Sequence, residues 1–277
     1  MKKCVILILM FWCVSCTMQQ RPVSVIPVKT DSLSAKPDTA DYTDVARSFL
    51  SRCEHDINAS SQIISEKRLI KSLSHLNHMG SGGTYYYLLE KDAITRMLQK
   101  LASYTYSECY LIDTSGRIVY TMYNDDLIGR KVSQFQTSPL MPMYVNGMKN
   151  KSMIIDVTEF PALSRNYDVY FSRPVGSDGN RQGVLITAVH IKNLSTQLPE
   201  SVRIVARSSG KFKMHENREM IDTKDSVYLD KMSGSIKNPG QSAEYADGVY
   251  EYQQVTYKTL SWVLVVPRTI TTLNVRR

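Results

Sequence analysis

The chain has 277 residues and a formal net charge of +8. Its 43% hydrophobic and 22% charged residues are ordinary values for a globular protein, which excludes extensive disorder, collagen and coiled-coil rods. No apolar run in the sequence reaches the roughly 18 to 20 residues of a membrane-spanning helix, which excludes a polytopic membrane protein. The positive charge is spread along the chain, so we expect no nucleic-acid partner.

The N-terminus has the pattern of an export signal. Two lysines precede an eleven-residue apolar run over residues 4–14. Ser15 and Cys16 follow the run, and a small residue directly before a cysteine at this place resembles the lipobox of bacterial lipoproteins. The resemblance implies cleavage before Cys16 and lipidation of its thiol, which anchors the chain to a membrane. An ordinary secretory signal is the alternative. In many bacterial lipoproteins an Asp directly after the lipidated Cys retains the protein at the inner membrane. Thr17 stands at this position here, which favours a location at the outer membrane.

A tether and three helices follow the signal. Residues 17–41 contain three prolines and no hydrophobic periodicity, so we expect a flexible tether. Apolar residues at spacings of four and seven predict a helix over 41–65. A second helix is predicted around 69–76, and the glycines at 80–83 are expected to prevent it from continuing. A third helix is predicted over 88–103.

Beyond residue 104 the pattern changes to that of β-strands, with glycine turns between them. The segment 124–150, called the cover below, follows the second strand and is predicted to be irregular. A smaller unit begins near residue 202. The first unit is predicted to form a five-stranded antiparallel sheet from strands over 108–113, 117–122, 152–158, 167–175 and 182–191. The smaller unit has predicted strands over 202–206, 242–246, 249–257 and 261–267.

Five segments carry a family pattern when they are taken in order. They read YLIDTSGRIVY at 110–120, DDLIG at 125–129, YDVYFSRPV at 167–175, GVLITAVHI at 183–191 and GVYEYQQVTYKTLSWVLVV at 248–266. This order resembles the extracytoplasmic double-Cache sensor family over about residues 42–270. The resemblance implies an α+β fold in which a long N-terminal helix is followed by two PAS-like antiparallel-sheet modules, the second of them smaller.

The domain organisation follows from this resemblance. Members of the family usually carry an output domain, whereas only ten residues follow Pro267. We therefore expect the chain to act through a separate membrane receptor or kinase. The amino-acid-binding branch carries an Arg-x-Trp-Tyr element that residues 140–155 lack, so an amino acid held in that manner is not expected. The expected divisions are a signal peptide over 1–16, a tether over 17–41, the helical stalk and first module over 42–199, the second module over 200–270 and a tail over 271–277.

The sequence offers little for catalysis or metal binding. It contains no Gly-x-Ser-x-Gly and no His-Glu-x-x-His element. His75 and His78 have helical spacing, but no further ligand completes a metal set beside them. We therefore expect no enzyme activity, no catalytic residue, no metal and no cofactor. Cys53 and Cys109 remain as thiols in the mature chain. The sequence leaves two possibilities open for them, buried free thiols or a disulfide between them.

The cover over the first sheet predicts a concave pocket for a small molecule. Arginines there would bind a carboxylate bidentately and aspartates an amine. Strand alternation leaves open which face of the sheet the cover contacts, and the alternative is that the arginines face solvent while the tyrosines pair across strands. The candidate ligand-binding residues are Tyr144, Asp156, Arg165, Tyr167, Asp168, Tyr170 and Arg173.

These features together predict a function in the cell envelope. We expect an exported, lipid-anchored module that binds a small carboxylate or amine in its first PAS-like unit and acts through a membrane partner. The alternative is a structural or protein-interaction lipoprotein whose pocket is filled by its own side chains.

Overall fold

The computed structural model describes residues 41–78, 81–160, 164–215, 218–221, 223–225, 242–245 and 248–268. All of them belong to one compact unit that extends from Pro37 to Arg277. The predicted signal peptide, Cys16, nearly all of the tether and the tail lie outside the described residues, as does most of the segment 222–235. Within the described part of the chain, no helix is long and apolar enough to cross a membrane.

Three helices precede the first sheet: α1 (Thr43–Glu66), α2 (Leu69–His78) and α3 (Ser81–Leu101). The backbone N–H of Thr43 donates to Asp41 Oδ1 at 2.9 Å, at the start of α1. The apolar stripe of α1 is buried, and it includes Phe49 and Ile57. α1 packs against strands of both sheets, as an amphipathic helix does when it serves as a common backing.

Helix α3 begins seven residues earlier than the sequence predicted, at Ser81 instead of 88. The glycines at 82 and 83 were interpreted as a helix breaker, and they lie in the first turn of α3. The N–H groups of that turn have no intrahelical acceptors, so the turn depends less on helix propensity than the helix interior does.

The first sheet contains five strands in the order β2-β1-β5-β4-β3, all antiparallel. The predicted five-stranded antiparallel sheet is confirmed, although its order is not that of a simple meander, because β2 and β3 are consecutive in the chain and lie at opposite edges. The strands are β1 (Tyr106–Asp113), β2 (Ile118–Thr121), β3 (Met153–Phe160), β4 (Ser164–Val175) and β5 (Gly183–His190).

The cover is more regular than predicted. It contains two short 3₁₀ helices, Asp125–Leu127 and Val132–Phe135, and a helix α4 (Leu140–Met148). α4 begins directly after Pro139, and a proline there or in the first turn removes no intrahelical hydrogen bond. Gly147 lets α4 approach the sheet closely, because a Cβ atom at this position would lie 2.6 Å from Cγ2 of Val184.

The second sheet repeats the topology of the first, with the order β7-β6-β10-β9-β8 and antiparallel neighbours throughout. The short helix α5 (Lys192–Ser195) precedes it. The sequence did not predict β7, which has only three residues. The strands are β6 (Arg203–Ala206), β7 (Phe212–Met214), β8 (Ser242–Tyr245), β9 (Gly248–Tyr257) and β10 (Leu260–Pro267).

The two faces of the first sheet bury different clusters of side chains. Val169 and Phe171 of β4 pack against the helices, in the larger core. Tyr170 lies between them in sequence and packs on the opposite face, with Leu140 and Met143 of the cover. Even-numbered residues of β4 therefore face the cover and odd-numbered residues face the helices. Cys53 and Cys109 are both buried as free thiols.

Candidate ligand-binding site

Four polar side chains lie close together toward the cover-facing side of the first sheet: Glu108, Tyr110, Asp168 and Tyr170. Glu108 and Tyr170 flank the same residue of the central strand, Ala188, from opposite sides. Glu108 is 2% exposed, and the other three have no exposed surface. Their complete burial makes the hydrogen-bond partner of each polar atom an informative quantity.

Glu108 is held by the backbone where β2 leads into the cover. Its Oε1 accepts hydrogen bonds from the N–H groups of Cys109 at 2.9 Å and Met122 at 2.6 Å. Its Oε2 accepts from the N–H of Asn124 at 3.0 Å, and the backbone N–H of Tyr123 is shared between both oxygens. Burial raises the pKa of Glu108, and these backbone donors counteract part of that shift. Both oxygens of Glu108 already have donors, and three of these donors are backbone N–H groups of residues 122–124. Glu108 therefore positions the start of the cover.

Unlike the carboxylate oxygens of Glu108, the hydroxyl groups of Tyr110 and Tyr170 have no hydrogen-bond partner among the described residues. Burial raises the pKa of both phenols, and the nearby carboxylates of Glu108 and Asp168 raise it further. Both hydroxyls therefore stay protonated and are able to donate or accept one hydrogen bond. A buried hydroxyl without a partner costs about 1 to 3 kcal/mol, so this pair marks a place where a polar group is needed.

Asp168 completes the cluster beside these phenols. Its Oδ1 accepts a hydrogen bond from Ser107 Oγ at 2.6 Å, across the intervening strand β5. The charged members of the cluster, Glu108 and Asp168, are both acidic. Two carboxylates and two neutral phenols suit a ligand group that donates hydrogen bonds and carries positive charge.

Tyr144 fastens the cover at a different point. Its hydroxyl donates to the carbonyl oxygen of Thr114 at 2.9 Å, in the turn between β1 and β2. Gly116 lies beside its ring, and a Cβ at that position would be 3.5 Å from the ring atoms. The side chain thus ties α4 to the first hairpin.

Three further candidates, Tyr167, Asp156 and Arg173, lie on the helix side of the sheet. Tyr167 packs against the larger core. Asp156 accepts a hydrogen bond from Nε1 of Trp262 in β10 at 2.7 Å. Arg173 donates to Ser152 Oγ. The side chain of Arg165 lies outside the described residues. The structure thus brings Asp168 and Tyr170 together and places Asp156 and Arg173 on the other side of the sheet.

Sequence reasoning did not select Tyr110 or Glu108. Tyr110 opens the hairpin segment at 110–120, and its even position matches Ile112 on the same face. The alternation in the sequence indicates that Tyr110 and Ile112 share a face of the sheet. It does not show what lies beside Tyr110, because that depends on the pairing of β1 with β5, in which Tyr110 is aligned with Ile186. Among the described residues, no group of three or more His, Cys, Asp or Glu side chains is placed to hold a metal ion.

Comparison with known proteins identifies the fold. No family model and no curated protein matches the chain. Among solved structures, an extracellular ligand-binding receptor from Desulfohalobium retbaense is similar with a TM-score of 0.56 and 13% identity. The match covers 80% of this chain and 38% of the receptor chain, so this chain spans well under half of that receptor.

Two sensor domains match over most of their length. The sensor domain of the Vibrio cholerae histidine kinase DctB has a TM-score of 0.57 and 13% identity, with 82% of this chain and 93% of that domain covered. The ligand-binding domain of the Pseudomonas fluorescens chemoreceptor CtaA, solved with L-alanine, has a TM-score of 0.54 and 14% identity, with coverages of 82% and 92%. The α+β double-Cache fold that the sequence predicted is confirmed.

Proposed function

We propose that the chain is an extracytoplasmic sensor module that binds a small molecule between the first sheet and the cover and acts through a separate membrane partner. One observation carries the proposal. Tyr110 and Tyr170 place two completely buried hydroxyls without partners among the described residues beside the carboxylate of Asp168. The structural neighbours are ligand-binding sensor domains of receptors and kinases, which supports a binding role.

The chemistry of the cluster favours a ligand with a protonated amine. Asp168 would accept a hydrogen bond from the ammonium group, and the two phenols would accept from or donate to neighbouring atoms of the ligand. The CtaA domain was solved with L-alanine, which has such an amine. Residues 140–155 contain no Arg and no Trp, so the carboxylate of an amino acid would need other partners. We therefore propose an amine as the required feature of the ligand.

Membrane attachment belongs to the same proposal. The apolar run and the small residue before Cys16 support export and lipidation, and Thr17 supports the outer membrane. The first module would then comprise residues 42–199 and the second 200–270. Replacing Cys16 with Ser should release the exported protein from the membrane fraction into the soluble envelope fraction. Continued membrane retention of that variant would contradict the lipid anchor.

A thermal-shift screen of small amines tests the ligand site. A compound at about a hundredfold its dissociation constant stabilises the fold by about 3 kcal/mol and should raise the melting temperature by roughly 5 °C or more. The shift should disappear in Asp168→Asn and shrink in Tyr170→Phe. Tyr123→Phe is the matched control, because Tyr123 is 56% exposed.

The same screen distinguishes the alternative function. The cover-side cluster contains many apolar side chains, including Leu140 and Met143, that pack against the sheet. If no amine shifts the melting temperature, or if Asp168→Asn keeps the shift, the ligand site beneath the cover is refuted and a filled, protein-interacting module becomes the better interpretation.

A further inference from the structure

A second cavity lies on the opposite side of the first sheet from the cover. It is a cleft of about 410 Å³ between α1, the start of β3 with the facing part of β4, and two turns of the second sheet. This volume is in the range that small-molecule sites occupy. Phe171 and Ile57 form apolar parts of its wall. The cleft shares none of the four residues of the site beneath the cover.

Both carboxylates that line the cleft already have partners. Glu54 of α1 accepts hydrogen bonds from Tyr257 Oη at 2.7 Å and from Lys258 Nζ. Burial raises the pKa of Glu54, but these two bonds and the nearby charges of Lys258 and Arg173 outweigh it, so the pKa lies below its usual value. Asp156 accepts hydrogen bonds from Trp262 Nε1 and from the N–H of Val157, both at 2.7 Å.

The two cationic side chains that line the cleft, Lys258 and Arg173, differ in their partners. Lys258 is paired with Glu54. The guanidinium of Arg173 donates to the hydroxyl of Ser152 and forms no ion pair with a carboxylate among the described residues. Arg173 as a whole is partly buried, while its hydrogen bond to Ser152 is exposed, so the guanidinium is accessible to a ligand from solvent.

Hydroxyl-bearing residues line the same cleft as this guanidinium and offer further donors to an anion. They come from both modules, because Ser152 lies just before β3 while the others lie in the β6–β7 turn and the β9–β10 hairpin. The hydroxyl-bearing residues that line the cleft include Ser152, Ser208, Thr259 and Ser261.

We infer that this cleft binds a small carboxylate whose charged end lies on Arg173. A guanidinium matches a carboxylate with two parallel hydrogen bonds, and the hydroxyls would receive or donate the remaining bonds. A carboxylate fits better than a phosphate, because Glu54 and Asp156 also line the cleft and repel a doubly charged anion more strongly than a singly charged one.

The position of the cleft gives this binding a structural consequence. The ligand would contact α1, the edge of the first sheet and the turns of the second sheet at the same time. Occupation of the cleft therefore stabilises the contact between the modules, whereas a ligand beneath the cover contacts the first module alone. The two sites would then respond to ligands of opposite charge.

Isothermal titration of the folded protein with acetate, lactate and pyruvate tests the inference. At least one of these carboxylates should bind with a dissociation constant on the order of 1 mM or below. Lactamide, the neutral counterpart of lactate, and inorganic phosphate should bind at least about tenfold more weakly. If no carboxylate binds, or if phosphate binds more tightly than every carboxylate, the inference is wrong.

Matched variants locate the bound carboxylate. Arg173→Gln should weaken binding by about tenfold or more, and Arg173→Lys should restore only part of it because the two-pronged geometry is lost. Arg96→Gln is the control, because Arg96 is exposed on α3 and pairs with Asp92. Unchanged affinity in Arg173→Gln, with the fold verified by its melting temperature, would overturn the assignment.

A further variant separates this inference from the proposed function. Tyr170→Phe should leave the carboxylate affinity unchanged, since Tyr170 lies on the other face of the sheet. If Tyr170→Phe abolishes carboxylate binding while Arg173→Gln does not, the carboxylate occupies the site beneath the cover and the cleft has no ligand role. Loss of amine binding alone would leave the cleft assignment intact.

Discussion

The site beneath the cover and the cleft beside α1 lie on opposite faces of one sheet, and they differ in which groups lack partners. Beneath the cover, the hydroxyls of Tyr110 and Tyr170 have no partner among the described residues, and the nearby charges are acidic. In the cleft, both carboxylates have donors, and the Arg173 guanidinium has no ion pair in the described part of the chain. Two ligand chemistries can therefore be separated on a single sheet because its two faces never share a side chain.

The largest expected effect comes from the carboxylate that holds the start of the cover. Glu108→Gln replaces one acceptor oxygen with an NH₂ group that must face backbone N–H donors of residues 122–124. We expect a loss of about 3 kcal/mol in the free energy of unfolding, because charged hydrogen bonds are lost and buried donors face each other. Urea denaturation measures this loss.

The matched control for Glu108 is Glu66→Gln. Glu66 is exposed near the end of α1 and accepts a hydrogen bond from Gln62 at 3.0 Å, so its replacement should change stability by less than about 0.5 kcal/mol. Equal effects of the two substitutions would show that the cover does not depend on Glu108.

A smaller loss is expected at the junction between the modules. Trp262→Phe removes the indole N–H that donates to Asp156 and also removes buried volume, since Trp262 has no exposed surface. We expect a loss of about 2 kcal/mol. Tyr257→Phe removes a hydrogen bond to the partly buried Glu54 and should cost about 1 kcal/mol or less. If Trp262→Phe costs no more than Tyr257→Phe, the junction is weaker than its geometry indicates.

The sequence predicted the sheet well, because its evidence is local. Alternating apolar residues and glycine turns define the five strands of the first module, and the spacing of apolar residues defines α1. The sequence did not predict α4, because its segment contains Pro139 and Gly147, residue types that are typical of irregular structure. Pro139 directly precedes the first turn, and Gly147 allows close packing on Val184.

The site was harder to predict, because it depends on which face of each strand is covered. The candidates on β4 divide by parity, so Tyr170 and Arg173 lie on different faces. A β-bulge between Ile155 and Thr158 also shifts β3, and both Asp156 and Val157 contact side chains on the helix side. Neither the covered face nor the bulge has a reliable signature in a single sequence.

The pH dependence of stability should report on the cleft. The pKa of Glu54 is lower in the folded protein than its usual value, so Glu54 contributes stability above the ordinary carboxyl pKa. That contribution is lost as the pH falls through the folded pKa, because protonation removes the bond to Lys258. We expect Glu54→Gln to flatten the fall in melting temperature below about pH 5. An unchanged acid limb would mean that another carboxylate dominates this range.

The smallest loss of stability is expected at Tyr170, one of the residues on which the ligand proposal depends. Tyr170→Phe removes a buried hydroxyl that has no partner among the described residues, so the unliganded protein should lose nothing and gain up to about 1 kcal/mol. The same substitution should weaken binding of an amine by about fivefold to tenfold, since one hydrogen bond to the ligand is lost. Thermal unfolding with and without the amine measures both quantities. A substitution that leaves stability intact while it impairs binding is expected of a ligand contact, whereas a loss of more than about 1 kcal/mol without ligand would show that the hydroxyl already has a structural partner.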